Sequence, residues 1–408
     1  MKILIISKNL LDFKDAQSQQ TLAFIEAMQE VCDHIDVITA RTIPPELSSL
    51  SYLSEKNIVI HTNDATWVTN GNGLLDKIQR KIERNILATV ESEWVKASAN
   101  LANDLVLKNN YSAIISIGLP IESHMVGLNL KDKSKWIAHF SDPWPESIMP
   151  KPYSDYSIPI LAGLQRNIVQ KIITQAKLIS FTCKESRALF ARYYRFDIEK
   201  TFITPHVAPQ PLKSIQRKDG NFIITHAGSL SRERFFTEFF YAIRELPEDC
   251  KIIIQFIGNI HSSAQRLVEE LGIQKRFIFT GQLSKADTLL CMRKSDALLL
   301  IEAKMETYPF LPSKLADYSA LSLPIYAITG KDSASAQILR LYHHHYTSTY
   351  SVTSIIEALK KISVSHSIEN KQSIYEYFDR RNIQGIINKA IVLMGQDYHL
   401  LDAKKTPY

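Results

Sequence analysis

Glycine is scarce in this chain: 13 occur in 408 residues, and none precedes Gly71. That scarcity excludes a glycine-rich dinucleotide fingerprint in the first strand–helix turn. Cysteine is scarcer still. Cys32, Cys183, Cys250 and Cys291 are scattered, with no CxxC pair and no histidine at metal-ligand spacing. A disulfide framework and a zinc ribbon are excluded, and reduced thiols of a cytoplasmic protein are expected. No apolar run reaches the roughly 18 residues of a membrane-spanning helix. Met1–Ser7 lacks the pattern of a signal peptide and is expected to form a strand. Internal repeats and low-complexity tracts are absent. No basic stretch carries interleaved stacking aromatics, which removes nucleic acid as a partner. The net charge of +6 is mild; it suits an anionic substrate or the anionic inner face of a membrane.

What is present is an ordinary globular composition, 45% hydrophobic and 22% charged. A chain of this length exceeds what one core supports, so two domains are expected. Short apolar strands alternate with helical patterns throughout: a strand at 2–7, a helix at 17–31, strands at 34–39, 57–61, 113–117 and 136–140. A helix at 157–176, a strand at 178–182, a helix at 184–194 and a strand at 201–204 follow. This βαβ alternation predicts a doubly wound parallel sheet. Pro205–Leu212 carries three prolines in eight residues, a linker signature. A second series then begins, with strands at 221–226, 251–257, 276–280, 297–301 and 325–328, and helices at 235–246, 262–271 and 284–294 between the earlier ones. A final amphipathic helix is expected at 373–394. The expected organisation is therefore a first domain over 1–204, a linker over 205–220, a second domain over 221–372, and a terminal segment 373–408.

The most informative stretch is Pro309–Ile328. It follows the near-continuous apolar run Ala297–Ile301, which reads as a strand buried on both faces. Leu311-Pro312-Ser313 then starts a helix, with Pro312 pre-setting φ and Ser313 able to cap the exposed amides. A helix start at the carboxyl end of a parallel strand gathers unpaired N–H groups. Lys314 beside it adds charge for a phosphate or diphosphate, and Asp317, one turn on, can accept from ribose hydroxyls. Taken alone, the same residues describe a capped helix with a solvated carboxylate.

Pro-Ser-Lys-Leu-Ala-Asp-Tyr followed by Leu-Pro-Ile resembles the donor-binding loop and helix of GT-B glycosyltransferases, most closely the retaining family 4 of bacterial surface-polysaccharide synthesis. The resemblance covers most of the chain and is strongest at 136–147 and 221–330. It implies two Rossmann-like domains facing across a cleft, and transfer of a sugar from a nucleotide-diphosphate sugar to a glycan or lipid-linked acceptor, with no cofactor and no metal. In that family a pair of acids, E-x7-E, brackets the helix; Asp317 matches the second, whereas Pro309 stands at the first and Glu306 is out of register. Ala227-Gly-Ser-Leu-Ser-Arg-Glu-Arg234 resembles the segment that grips the donor diphosphate, which implicates Gly228, Ser229 and either Arg232 or Arg234. Phe277–Leu283 resembles the loop flanking the base, so Gly281 and Gln282 are expected to line the base pocket. Ser313, Lys314 and Asp317 complete the implied donor site.

In the first domain, Ser141-Asp-Pro-Trp-Pro-Glu-Ser147 resembles the family's Arg-Asp-x-Trp-Pro-Glu-Ser turn, with Ser141 in place of the arginine. Asp142 is the candidate for contacting the acceptor or the transferred sugar; its other reading is a turn residue before proline. His139 and His124 are further catalytic candidates, and His139 also reads as a core residue of its strand. The loop after the first strand, Lys8 to about Ala16, is longer and more polar than the family's glycine-rich one. Leu74–Ile86 patterns as a basic amphipathic helix, read first as a domain helix with a solvated face and second as a membrane-surface helix. His343-His344-His345 is set aside as a metal site because adjacent histidines cannot all face one ion. Two other readings remain open. One is an epimerase or hydrolase of the same fold; the other is a non-catalytic nucleotide-sugar-binding subunit, which the substitutions at Pro309 and Ser141 keep open and the retained basic residues argue against.

Overall fold

The structure is a computed structural model that describes residues 1–10, 16–41, 57–64, 92–217, 220–342, 345–363 and 373–395. The Leu74–Ile86 helix and the His343-His344 pair lie outside the described residues. The chain divides into two compact units, one built from Met1–Met149, Ser154–Val207 and the segment from Arg380, the other from Pro150–Tyr153 and Ala208–Asp379.

The first unit is a seven-stranded sheet, wholly parallel, in the order β3-β2-β1-β4-β5-β6-β7. Its strands are β1 Lys2–Ile6, β2 His34–Arg41, β3 Ile58–Asp64, β4 Ala113–Gly118, β5 Trp136–Phe140, β6 Leu178–Phe181 and β7 Thr201–Ile203. β1 and β4 have all but one of their side chains buried, as expected of parallel strands covered on both faces. One face packs Trp94, Val126, Trp136, Phe140, Phe181 and Phe190. The other packs Phe24, Ile25 and Met28 of the helix Ala16–Gln29 together with Ile383, Ile387 and Ala390 of the helix Arg380–Met394. The terminal helix is divided: Tyr375–Phe378 forms a short piece, and Asp379 leaves helical geometry before Arg380.

The second unit is a six-stranded parallel sheet in the order β10-β9-β8-β11-β12-β13. Its strands are β8 Phe222–Ala227, β9 Ile252–Ile257, β10 Phe277–Phe279, β11 Ala297–Ile301, β12 Ile325–Ile328 and β13 Tyr346–Ser348. Every residue of β11 is buried. β13 and the helices Ala334–Leu341 and Val352–Ser363 extend the unit beyond the predicted elements. β13 is three residues long and only partly buried, too short to show a period. Strand order reverses between β1 and β4 in one sheet and between β8 and β11 in the other. In open sheets of this kind, ligands bind outside the carboxyl ends of the strands at such a reversal. In the second unit the chain leaves β8 at Gly228 and β11 at Glu302, on either side of it.

Candidate functional site

β8 delivers Gly228 at φ +110. A Cβ built there would stand 2.6 Å from both Cε and Nζ of Lys314, so the lysine lies directly over the glycine main chain. Only glycine allows both this backbone conformation and this approach. Gly258, at φ +117, closes in from the next strand: its own Cβ would meet the Gly228 carbonyl carbon at 2.9 Å. The crossing of three chain segments at this point therefore depends on two absent side chains.

Lys314 comes from the helix Ser313–Ser319, whose N-cap is Pro312. Ser313 is the first helical residue rather than the cap, and no side chain caps the end. Pro312 has φ −62, as its ring requires, and extended ψ, which places it just outside the helix. The helix is fastened from within: the Tyr318 hydroxyl accepts from the Ala227 amide at 3.0 Å and lies 3.2 Å from the Leu299 carbonyl. These bonds tie the helix to the ends of β8 and β11 at once.

Charge in this corner is concentrated and poorly hydrated. Burial, then the neighbouring Arg234, lowers Lys314 to about 7, with Asp317 opposing. Asp317 is raised to about 6 by burial, with Lys285 and Lys314 holding it down. Arg234 is half-buried and its guanidinium hydrogen-bonds the Tyr153 hydroxyl. Tyr153 also sits edge-on to Phe310, ring centroids 5.1 Å apart, on the loop leading to Lys314. Arg232 points to solvent. Of the two arginines, Arg234 is the one whose charge acts on Lys314, His226 and Tyr318. Ser229, Gly281 and Gln282 are exposed. Gly281, at φ +69, accepts from the Gly258 amide at 2.8 Å, so the 281–282 turn is tied to the end of β9.

Beyond β11, the Glu302 carboxylate is buried and accepts from the Ser335 hydroxyl at 2.8 Å and from the Thr329 hydroxyl. It joins the ends of β11 and β12. Glu306 is exposed. Two groups of this corner carry no sequence signal: His226 lies inside a strand, where an imidazole reads as packing, and Tyr153 is remote in sequence. Tyr318 closes the Pro-Ser-Lys-Leu-Ala-Asp-Tyr stretch but reads there only as the edge of a helix face.

The first unit's candidates occupy different settings. Asp142 is half-buried in the turn after β5. That turn is anchored through Ser141, whose hydroxyl bonds the Gly118 carbonyl and whose own carbonyl accepts from Thr182 Oγ1 at 3.0 Å. The serine in place of arginine is thus a structural tie between β4, β5 and β6. His124 is fully buried. Ser116 Oγ accepts from Trp136 Nε1 at 2.8 Å and lies 2.7 Å from His124 Nδ1, and burial lowers the imidazole to about 3. His139 pairs its Nδ1 with Ser180 Oγ at 3.0 Å, and Ser180 donates to Thr204 at 2.8 Å. Its ring borders a cavity of about 30 Å³ shared with Gln17, Gln20, Ser141 and His206. Burial, then His206, lowers His139 to about 3 as well.

After β1, Lys8 reaches the buried Glu122 carboxylate at 2.8 Å, and its amide donates to Ser123 Oγ at 3.0 Å.

No family model matches the sequence, and no curated protein matches it. Solved structures do. HepE from Anabaena, in complex with UDP and glucose, aligns with TM-score 0.61 at 13% identity, over 96% of this chain and 100% of that one. The lipopolysaccharide outer core galactosyltransferase WaaB, in its apo form, aligns with TM-score 0.61 at 14% identity, over 96% and 99%. A Listeria monocytogenes protein, provisionally assigned as a UDP-N-acetylglucosamine 2-epimerase, aligns with TM-score 0.52 at 12% identity, over 97% of each chain. The chain has the two-domain GT-B α/β fold.

Proposed function

We propose that the protein is a glycosyltransferase that uses a nucleotide-diphosphate sugar. The observation that carries this reading is Lys314 Nζ held against the Gly228 main chain beside Arg234, at the carboxyl end of β8 where the strand order reverses. Two cations over a bare stretch of backbone suit the oxygens of a diphosphate. Asp317 would accept from the ribose hydroxyls, and the main chain at Gly281 and Gln282 would border the base.

In transfer, the bond from the sugar's anomeric carbon to the diphosphate oxygen breaks, and its electron pair leaves on that oxygen. The acceptor hydroxyl oxygen bonds to the anomeric carbon and passes its proton to an oxygen of the departing diphosphate. Lys314 and Arg234 stabilise the growing charge on the leaving group more than they stabilise the bound donor. No divalent ion is needed in this scheme, and Asp142 serves the acceptor or the transferred sugar. Retention of anomeric configuration and a role in bacterial surface polysaccharide follow from the sequence resemblance. A lipid-linked acceptor is supported by the helix Pro159–Gln175. There Ile160, 89% exposed, and Leu164, 48% exposed, lie one turn apart, with Lys171 further along the same stripe.

The test is calorimetric binding of nucleoside diphosphates, with and without a chelator, followed by turnover of the corresponding nucleotide sugars. One diphosphate nucleoside should bind in either condition and stabilise the folded protein by about 2.7 kcal/mol at a hundredfold excess over its dissociation constant. Binding without turnover on any acceptor would favour the non-catalytic subunit. Interconversion of the sugar without transfer would favour the epimerase, the reading to which the Listeria likeness points.

A further inference from the structure

His226 is fully buried on β8, two residues before Gly228, its ring 5.6 Å from that of Phe256. Its Nδ1 lies 3.0 Å from the Leu299 carbonyl. A carbonyl only accepts, so Nδ1 carries the proton and, in the neutral ring, Nε2 is a lone pair. That lone pair faces Lys314 Nζ at 3.3 Å. Burial, Lys314 and Arg234 keep the imidazole well below its ordinary value, although the main chains of Leu299 and Ser229 pull the other way. Arg234 acts on both members of the pair and Asp317 on Lys314, while the Tyr318 hydroxyl shares the Leu299 carbonyl with His226.

We propose that His226 is a positioning residue for the anion site: its Nε2 accepts from the Lys314 ammonium and holds that ammonium over Gly228, aimed at an oxygen of a bound diphosphate. The inference rests on the donor-binding reading above and adds a residue to it. An unpaired lysine has four rotatable bonds and would lose that freedom when a ligand arrives. Here the acceptor beneath it removes much of the search beforehand, and because the acceptor is neutral it does not offset the ammonium's charge. A carboxylate in the same place would cancel that charge. The histidine's second bond, to Leu299, prevents the ring from presenting N–H to the lysine.

Asparagine and glutamine separate the two nitrogens of the ring. The amide of His226→Asn overlays Nδ1 and can keep the bond to Leu299, but offers nothing at Nε2. That of His226→Gln reaches the Nε2 position with an acceptor oxygen and gives up the bond to Leu299. Dissociation constants for UDP and for inorganic pyrophosphate would be measured by calorimetry on the full chain. His226→Asn should weaken both about tenfold, as expected for losing a hydrogen bond to a charged group, while His226→Gln stays within about threefold of the wild type. In a Lys314→Ala background His226→Asn should have no further effect. The reverse order, with Asn tolerated and Gln damaging, would reduce His226 to a strut for β11 and overturn the proposal. So would full additivity with Lys314→Ala.

If either variant fails to fold, nitrogen NMR of the wild-type ring decides: an unprotonated Nε2 from pH 6 to pH 8 is the expected result, and a protonated Nε2 with bare Nδ1 overturns it. Wild-type protein that binds neither UDP nor any other nucleoside diphosphate, nor pyrophosphate, overturns the donor reading and this inference together.

Discussion

Gly228 and Lys314 compete for one space: a Cβ on the glycine would stand 2.6 Å from the lysine Nζ. Backbone and ammonium therefore present themselves to a ligand from a single point, and either residue disturbs the other when changed.

Gly228→Ala should damage the site twice. The residue's φ of +110 is one that side chains rarely adopt, at a cost of about 1–3 kcal/mol. The methyl group also displaces Lys314. Thermal unfolding should report the first effect and diphosphate-nucleoside calorimetry the second. A variant that keeps both wild-type values would remove the close approach from the account.

Lys314→Met should weaken diphosphate binding at least tenfold yet raise stability. The lysine titrates near 7 in the folded protein against an ordinary 10.5, so between those values the unfolded chain holds the extra proton and stability rises with pH. Below about 7 the cost of the buried charge is fully present. The gain from methionine should accordingly be larger at pH 6 than at pH 9. Denaturant unfolding at the two pH values tests this, and a loss of stability at pH 6 would contradict it.

Affinity for a diphosphate nucleoside should peak between about pH 6 and pH 7. Above 7 the free protein has lost the Lys314 proton that the anion requires, and affinity falls toward a limiting tenfold per pH unit. Below 6 Asp317 is protonated and accepts less well. Calorimetry in buffers of different ionisation enthalpy should show net proton uptake on binding at pH 8. A flat profile from pH 6 to pH 9 would rule out a titrating lysine at the ligand.

Asp142→Asn should leave nucleotide affinity unchanged and lower turnover by at least tenfold once an acceptor is found. The anchoring bonds of its turn run through Ser141, so the fold should survive. Full activity in a folded variant would withdraw Asp142 from the chemistry.

Replacing Ile160 and Leu164 together with aspartate should reduce co-sedimentation with vesicles containing anionic lipid and leave UDP affinity at its wild-type value. The pair is exposed at 89% and 48%, so folding is spared. Equal vesicle binding before and after the change would disconnect this helix from the membrane.

Much of the architecture is legible in the sequence because parallel strands buried on both faces form apolar runs that need no partner to be recognised. Ala297–Ile301 and Ile325–Ile328 are observed with the predicted bounds. The half-buried β13 and the helices flanking it lack such runs, and the end of the second sheet was hidden accordingly. At the site, Lys314 and Gly228 are visible as motif residues, but their contact is not, since it joins positions 86 apart along the chain. His226 and Tyr153 were invisible for a similar reason. Their roles arise from which group faces them, and a strand histidine or a loop tyrosine says nothing of that on its own. Ser313 shows the converse: it has the chemistry of a cap, yet the geometry fixed by Pro312 puts it inside the helix.

The helix Arg380–Met394 closes a core that begins with Ile3 and Ile5, burying Ile383 and Ile387 against it. Each such isoleucine is worth about 1.5–3 kcal/mol of burial. During synthesis this reverses the usual schedule, in which the first domain to emerge is the first to finish. The unit that holds β1 cannot shut until residues 380–394 have been made. The 208–379 stretch of the other unit is by then wholly synthesised. Until that moment the part of this face that the terminal helix covers, beside the helix Ala16–Gln29, is left as bare apolar surface.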